Sequence, residues 1–167
     1  MAQRSTIEWT EATWNPVTGC TKVSPGCAHC YAETFAERFR GVRGHPYERG
    51  FDLELRKARL EQPLEWTQPR MIFVNSMSDL FHEGIPEDYI KSVFGVMRNA
   101  RGHTFQVLTK RSQRMVEMAR HLRWPDNVWM GVSVENQRWT CRVDALRKVP
   151  AKVRFLSCEP LLGPLRL

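Results

Sequence analysis

The sequence contains no long hydrophobic run: no stretch of about eighteen apolar residues occurs in its 167 positions. A segment of that length is needed for a transmembrane helix, so none is expected. The opening residues, MAQRSTIEWTE, are polar and lack the apolar core of a signal peptide. These two absences predict a cytoplasmic protein with no membrane partner.

Cysteine is also scarce and occurs in an odd number. Only five are present, and three of them, Cys20, Cys27 and Cys30, lie within eleven residues. In a reducing cytoplasm, thiols clustered in this way are not expected to form disulfides. Thiolates are good ligands for soft metals and iron–sulfur clusters, and a short loop can turn three of them toward one point. The pattern therefore predicts a metal site.

The cysteine spacing, C-x6-C-x2-C, matches neither the paired C-x2-C motifs of zinc knuckles nor a ferredoxin run. A structural zinc site normally needs four protein ligands, whereas a four-iron cluster held by three cysteines leaves one iron free for a substrate or cofactor. An iron–sulfur cluster is the first interpretation. The alternative is a non-enzymatic zinc-binding module that binds nucleic acid, with His29 or another histidine as the fourth ligand.

Composition and charge are those of a single globular domain over residues 1–167, with 42% hydrophobic and 26% charged residues. The net charge of +7 favours an anionic partner such as nucleic acid. However, the arginines are scattered from Arg38 to Arg166 and do not form one stripe. Nucleic acid therefore remains a candidate substrate or partner, supported by net charge alone.

Short apolar runs alternate with helical patterns along the chain. A short strand is predicted within residues 5–19, and each later run ends in polar residues that are followed by helical spacing. Strand, polar end and helix in repetition are typical of a parallel α/β fold, whose chemistry lies at the carboxyl ends of the strands. The four later runs are Met71–Val74, Phe105–Leu108, Val128–Val134 and Val153–Leu156.

Helical spacing also predicts the connecting elements. Tyr31, Phe35 and Phe39 recur every four residues, which predicts an amphipathic helix that ends at Gly41. A second helix is predicted around residues 52–60. Further helices are expected to carry Ile90 to Met97, Met115 to Leu122 with Ser112 as the cap, and Trp139 to Leu146. No helical pattern follows the fifth strand, so a last strand–helix unit is expected to be missing.

These features resemble the radical S-adenosylmethionine (SAM) superfamily, and most closely a phage-encoded three-cysteine-motif family of unknown function related to spore photoproduct lyase. The resemblance runs over nearly the whole chain. It departs from the common C-x3-C-x2-C motif by three extra residues between the first two cysteines. The matching segments are the cysteine loop with Tyr31-Ala32, residues 75–79 (NSMSD), 108–110 (LTK), 131–136 (GVSVEN) and 155–160 (FLSCEP).

The resemblance implies a partial (β/α) barrel of the radical SAM type, with about five strand–helix units and a shortened carboxyl end. It implies a 4Fe-4S cluster bound by Cys20, Cys27 and Cys30, whose fourth iron binds SAM and cleaves it reductively to begin a radical reaction on an unidentified substrate. It further implies an electron donor such as a flavodoxin or ferredoxin, and the host cytoplasm as location if a phage encodes the chain. A truncated, inactive copy is the third interpretation.

The resemblance also gives roles to residues that follow the strands. Ser76, Ser78 and Asp79 take the position that binds the methionine amino group of SAM. Lys110 and Arg111 suit the SAM carboxylate or a substrate phosphate, unless they are a surface pair.

The remaining candidates follow the last two strands or flank the cysteines. Ser133, Glu135 and Asn136 suit the ribose hydroxyls, although Asn136 suits a helix cap equally well. Glu159 and Ser157 are evenly balanced between cofactor binding and capping. His29 lies where the superfamily often places an aromatic residue beside the adenine, or is simply exposed. Cys141 and Cys158 are predicted to be packing residues.

Overall fold

The structure is a computed structural model and describes residues 7–167. The predicted strand within residues 5–19 is present as β1, and the first two residues of that range lie outside the described part. In chain order the elements are β1 (Ala12–Trp14), β2 (Val17–Thr18), α1 (Tyr31–Glu37), β3 (Glu54–Leu55), β4 (Met71–Val74), α2 (Glu87–Asn99), β5 (Thr104–Thr109), α3 (Ser112–Ala119), β6 (Val128–Ser133), α4 (Cys141–Arg147) and β7 (Val153–Ser157).

Five of these strands form one parallel sheet in the order β1-β4-β5-β6-β7. The register brings Trp14 opposite Val74, and Ser133 opposite Ser157, so the carboxyl ends of the strands meet along one edge. The predicted parallel α/β fold and its four later strands are confirmed. Within residues 7–167 the sheet is open, with β1 and β7 at its two sides.

The main core lies between the sheet and the helices that connect its strands. Phe105 and Val107 of β5 are fully buried in this core, together with Ile90 and Met97 of α2 and Met115 of α3. Burial of each such side chain contributes about 1.5–3 kcal/mol. Across residues 7–167 no helix is both long and apolar enough to cross a membrane.

Residues 52–60 do not form the predicted helix. Instead, β3 pairs antiparallel with β2, so that Leu55 lies opposite Val17, and a short 3-10 helix follows at Lys57–Arg59. The backbone N–H of Arg56 donates to the carbonyl of Pro16 at 2.7 Å. This pairing with a distant segment satisfies the backbone in an extended form and overrides the local helical preference.

Helix α1 is shorter than predicted and buries a different face. It ends at Glu37, and Ala32 and Ala36 are buried, whereas Tyr31 and Phe35 are 60% and 43% exposed. The phenyl ring of Phe35 instead contacts the rings of Phe39 and Tyr47, with centroids 5.3 and 5.6 Å apart. The small alanines allow the helix to approach the protein closely, while the aromatic residues pack with the loop that follows.

Two smaller predictions, for Ser112 and Cys141, differ from the structure, and a third, for Cys158, is not contradicted by it. Ser112 is the first residue of α3 and does not cap it with its side chain. Cys141 is exposed at the start of α4, so it is not a packing residue. Cys158 is half-buried and follows β7 immediately. None of these positions carried a strong pattern, since each is at the boundary of an element.

Gly19 directly precedes the first clustered cysteine, and its close contact with another part of the chain can be tested against Gly41, a glycine with a similar φ angle. Gly19 has φ +83° and Gly41 has φ +81°, but a Cβ at Gly19 would lie 2.1 Å from the Asp52 carbonyl oxygen, whereas a Cβ at Gly41 has no heavy atom within 4 Å. Gly41→Ala is expected to cost about 1–2 kcal/mol for the left-handed conformation alone. Gly19→Ala should cost about 1–3 kcal/mol more because of the collision. Urea unfolding of both variants measures the difference, and equal costs would contradict the close approach.

Candidate metal and cofactor site

The three clustered cysteines lie on a loop at the carboxyl edge of the parallel sheet. We define residues 19–30 as the cysteine loop; it connects β2 to α1. Its first residue, Gly19, donates its backbone N–H to the carbonyl of Met77 at 2.9 Å and forms an isolated parallel bridge with Ser78. At its far end, the Tyr31 hydroxyl donates to the carbonyl of Ser76. Both ends are therefore held by the segment that follows β4.

Arg111, which follows β5, holds the beginning of the loop. Its side chain is only 3% exposed. One terminal nitrogen donates to the Sγ of Cys20 at 3.3 Å and the other donates to the carbonyl oxygen and the hydroxyl of Thr21, both at 2.9 Å. The interpretation of Lys110 and Arg111 as a surface pair is therefore wrong for Arg111.

Two carboxylates compensate the buried charge of Arg111. Its Nε donates to Glu83 at 2.9 Å, and a terminal nitrogen lies 3.4 Å from Asp79 Oδ2. Asp79 also accepts hydrogen bonds from the hydroxyl of Thr109 and from the backbone N–H groups of Lys110 and Phe81, at 2.7 to 3.0 Å. Both oxygens of Asp79 are thus occupied by protein donors. This carboxylate joins the segment after β4 to the segment after β5.

Glu135, which follows β6, holds the middle of the loop. Its side chain is fully buried. Its carboxylate accepts from the hydroxyl of Ser24 at 2.5 Å and from the backbone N–H of Gly26 at 3.3 Å. A Cβ on Gly26 would lie 2.4 Å from the Glu135 carboxyl carbon, so only glycine allows this approach. Arg142 of α4 supplies the balancing charge at 3.4 Å and also donates to the Ser133 carbonyl.

The other residues predicted for the site follow the same strands as Arg111 and Glu135, the two residues that hold the loop. The Nζ of Lys110 donates to the Ser133 hydroxyl at 3.2 Å and lies 4.0 Å from Glu135. Asn136 caps the short 3-10 helix Gln137–Trp139 through a bond from Arg138, so its capping role is present.

The hydroxyls of Ser76 and Ser78 are already hydrogen bonded within the protein. That of Ser76 bonds with the Asn15 amide, and that of Ser78 donates to the carbonyl of Val17 at 2.9 Å. Ser157 ends β7 opposite Ser133, and Glu159 and His29 are exposed. The structure therefore brings Lys110, Ser133 and Glu135 together, and leaves Glu159 and His29 facing solvent.

The thiols of Cys20, Cys27 and Cys30 are all unoxidised and half-buried. Burial, with the nearby carboxylate of Asp79, raises the pKa of Cys20 to about 11, although Arg111 opposes the shift. This thiol keeps its proton near neutrality, so binding of a metal there must release it. Within residues 7–167, no three histidine, cysteine or acidic side chains converge on a position for one metal ion.

The donor set nevertheless has the chemistry that an iron–sulfur cluster needs. Three free thiols share one loop, and no carboxylate or imidazole of that loop competes with them except the exposed His29. In a cubane each thiolate binds a different iron, so the three sulfurs need not meet at one point as they would around zinc. The loop is already fixed to the sheet, which lowers the cost of ordering it around a cluster.

Asn75 is an unusual residue at the same edge. It follows β4 directly, is buried, and has a left-handed backbone with φ +60°. Neither its side-chain oxygen nor its side-chain nitrogen has a hydrogen-bond partner in the protein. A buried amide without partners is costly, so Asn75 is a candidate contact for a bound molecule.

Comparison with protein families identifies the chain directly. Residues 4–167 match the model of a family described as "Protein of unknown function (DUF5131)". The chain belongs to the DUF5131 family. No curated protein matches the sequence.

Among solved structures, two mutants of spore photoproduct lyase are similar to this DUF5131 chain. One is a cysteine-to-serine mutant at 16% identity, and the other, at 14% identity, has bound AdoMet and dinucleoside spore photoproduct. Each has a TM-score of 0.59. The match covers 93% of this chain and 46% of the lyase chain, so the chain spans about half the length of these structures. The fold is thus that of spore photoproduct lyase over about half of the lyase, which agrees with the resemblance seen in the sequence.

Several residues that build the site had not been predicted. Thr21, Ser24 and His82 are polar loop residues without a recognisable motif. The His82 ring accepts from the Gly84 N–H at 3.0 Å and, through its other nitrogen, lies 2.9 Å from the Thr21 hydroxyl. Arg142 did carry a signal, because it lies four residues before Leu146, which puts both on the inward face of α4, where an arginine must be paired.

The buried ion pair of Glu135 and Arg142 can be compared with an exposed ion pair on α4, the helix that carries Arg142. Glu135→Ala leaves the Arg142 charge buried and unpaired, and should lower the free energy of unfolding by about 3–5 kcal/mol. Asp144 pairs with Arg147 at 2.7 Å, but both side chains are about 70% exposed, so Asp144→Ala should cost no more than about 1 kcal/mol. Chemical denaturation measures both, and a similar small cost for the two variants would show that Glu135 does not anchor the loop.

Proposed function

We propose that this protein is a radical SAM-type iron–sulfur protein in which Cys20, Cys27 and Cys30 bind a 4Fe-4S cluster. The observation that carries the proposal is the attachment of the cysteine loop to the sheet. Segments that follow three neighbouring strands, β4, β5 and β6, all contribute hydrogen bonds to it. Three free thiols are therefore presented at the edge where parallel α/β folds carry out chemistry.

When bound, a four-iron cluster with one open iron supplies the electron for reductive cleavage of SAM to methionine and a 5′-deoxyadenosyl radical. The protein contributes orientation and charge. We assign the SAM carboxylate to Lys110, whose side chain is 21% exposed at the site. By their positions after β4 we assign Ser76 and Ser78 to the methionine amino group, which would have to compete with the bonds that their hydroxyls already make, and we assign Ser133 and Asn136 to the ribose. Asn75 adds an amide with unused hydrogen-bonding capacity.

In this proposal Asp79 and Glu135 position the cysteine loop and do not bind the cofactor. Asp79 accepts four hydrogen bonds from protein donors, and Glu135 is fully buried beneath Gly26. A SAM ammonium or ribose hydroxyl would have to displace these bonds to reach either carboxylate. We therefore assign both residues to positioning the cysteine loop, and leave the exposed Glu159 as a candidate contact for SAM.

The substrate class is proposed from charge and fold. The net charge of +7 favours an anionic partner, and one similar structure holds a dinucleoside photoproduct. We propose nucleic acid or a nucleotide as the substrate, in an open sheet that forms part of a (β/α) barrel, with a flavodoxin or ferredoxin as electron donor. The zinc-binding alternative gains no support from the described residues, because no three of their histidine, cysteine or acidic side chains are grouped to hold one ion.

Iron uptake and SAM cleavage test the proposal together. The protein reconstituted anaerobically with iron and sulfide should hold about four irons and four sulfides and form 5′-deoxyadenosine with dithionite and SAM. Cys27→Ala should lose most of both, whereas Cys141→Ala, which changes an exposed cysteine outside the loop, should retain them. A colourless protein that binds one zinc ion, or equal behaviour of the two variants, would refute the proposal.

The role of Lys110 predicts a selective loss of SAM affinity. Lys110→Met removes a charged hydrogen bond, so the Kd for SAM should rise by about tenfold or more, the equivalent of about 1.4 kcal/mol. Lys91→Met is the control, because Lys91 pairs with Asp88 on α2 and touches no residue of the site. Calorimetric titration of SAM into the cluster-loaded proteins measures both values. Unchanged affinity in Lys110→Met would remove this residue from the site.

A further inference from the structure

We infer that Arg111 is a positioning residue that fixes the start of the cysteine loop before any cluster binds and, once one is bound, raises its reduction potential through Cys20. The second half of this inference rests on the proposed function. The first half concerns the protein alone. Neither role follows from the sequence pattern, in which Arg111 lies beside Lys110 like an ordinary surface cation.

The geometry around Arg111 uses the whole guanidinium group. Five donor–acceptor contacts lie between 2.9 and 3.4 Å, and they reach two separate parts of the chain: Glu83 and Asp79 after β4, and Cys20 and Thr21 in the loop. A planar fork with five N–H groups can make these contacts at once, and a lysine ammonium cannot. The arrangement is therefore specific for arginine.

The charge of Arg111 is buried, which makes its effect on a neighbouring sulfur large. Only 3% of its side chain is exposed, so solvent screens it weakly. A reduced cluster carries one more negative charge than an oxidised one. A cation that donates to a ligating sulfur stabilises the reduced state more than the oxidised state, and so raises the potential. Among the cysteines of residues 7–167, Cys20 is the one whose sulfur is found to accept a hydrogen bond from an arginine side chain.

A neighbouring arginine provides a matched control. Arg114 lies one turn further along α3 and donates to the carbonyls of His82 and Ile85. It supports the same region after β4 but touches no residue of the cysteine loop. Replacing it removes one positive charge close to Arg111 without changing a contact to sulfur.

The first experiment uses the cluster-free protein. Amide hydrogen exchange of residues 20–27 is measured in wild type, Arg111→Gln, Arg111→Lys and Arg114→Gln, with circular dichroism to establish folding. Both Arg111 variants should exchange at least about tenfold faster in this segment, and Arg114→Gln at the wild-type rate. The lysine variant keeps a positive charge beside Asp79 and Glu83. It therefore tests whether Arg111 fixes the start of the loop, a role that we call the clamp, even if the glutamine variant does not fold. Equal exchange in all four proteins would overturn the clamp.

The second experiment uses the reconstituted proteins. The midpoint potential should fall in Arg111→Gln by at least about 59 mV, a tenfold change for a one-electron couple, should fall by less in Arg111→Lys, which keeps the charge but loses the bond to sulfur, and should stay unchanged in Arg114→Gln. An unchanged potential in cluster-loaded Arg111 variants would overturn the tuning role while the proposed function stands. Failure of wild type to take up iron would overturn the proposed function and the tuning role together, and the exchange data would still decide the clamp.

Discussion

Two buried charged side chains connect the cysteine loop to the sheet, and the arrangement of the carboxyl edge depends on them. Arg111 binds the start of the loop and Glu135 binds its middle. A buried charge is tolerated only when it is paired and hydrogen bonded, so each requires partners from other segments. Asp79 and Glu83 serve Arg111, and Arg142 serves Glu135. The loop, the two strand ends and α4 are consequently ordered as one unit.

This arrangement separates the groups that hold the site from the groups that can react. The anchoring carboxylates of Asp79 and Glu135 are buried and use their oxygens on protein donors. The three thiols are free and half-buried on the same loop. A rigid support beneath reactive groups is the usual way in which a protein limits the entropy lost when a cofactor binds. The glycine at position 26 is part of that support, because a larger residue would separate the loop from Glu135.

The strands were predictable from the sequence because their signals are local. Met71–Val74 is an apolar run between polar residues, and it is strand β4 with the same bounds. The cysteine loop was equally visible, since its three cysteines are close in sequence. Strand β3 was not, because it depends on pairing with β2 more than thirty residues earlier. The burial of Arg111 was also hidden, since its partner Asp79 lies 32 residues away and no local pattern marks the contact.

The acidic residues show why position after a strand does not by itself define a ligand contact. Asp79 and Glu135 follow β4 and β6 at the edge where cofactor groups are expected, and both proved to be bonded to the protein itself. A carboxylate at the crowded ends of parallel strands lies near many backbone N–H groups, which compete with any ligand for its oxygens. Cations at this edge also find partners in the protein, since Arg111 and Arg142 both donate to backbone carbonyls. Lys110 differs from these two arginines, because its Nζ donates to the Ser133 hydroxyl and its side chain stays 21% exposed, which is why it is the cation that we propose for an anionic group of a cofactor.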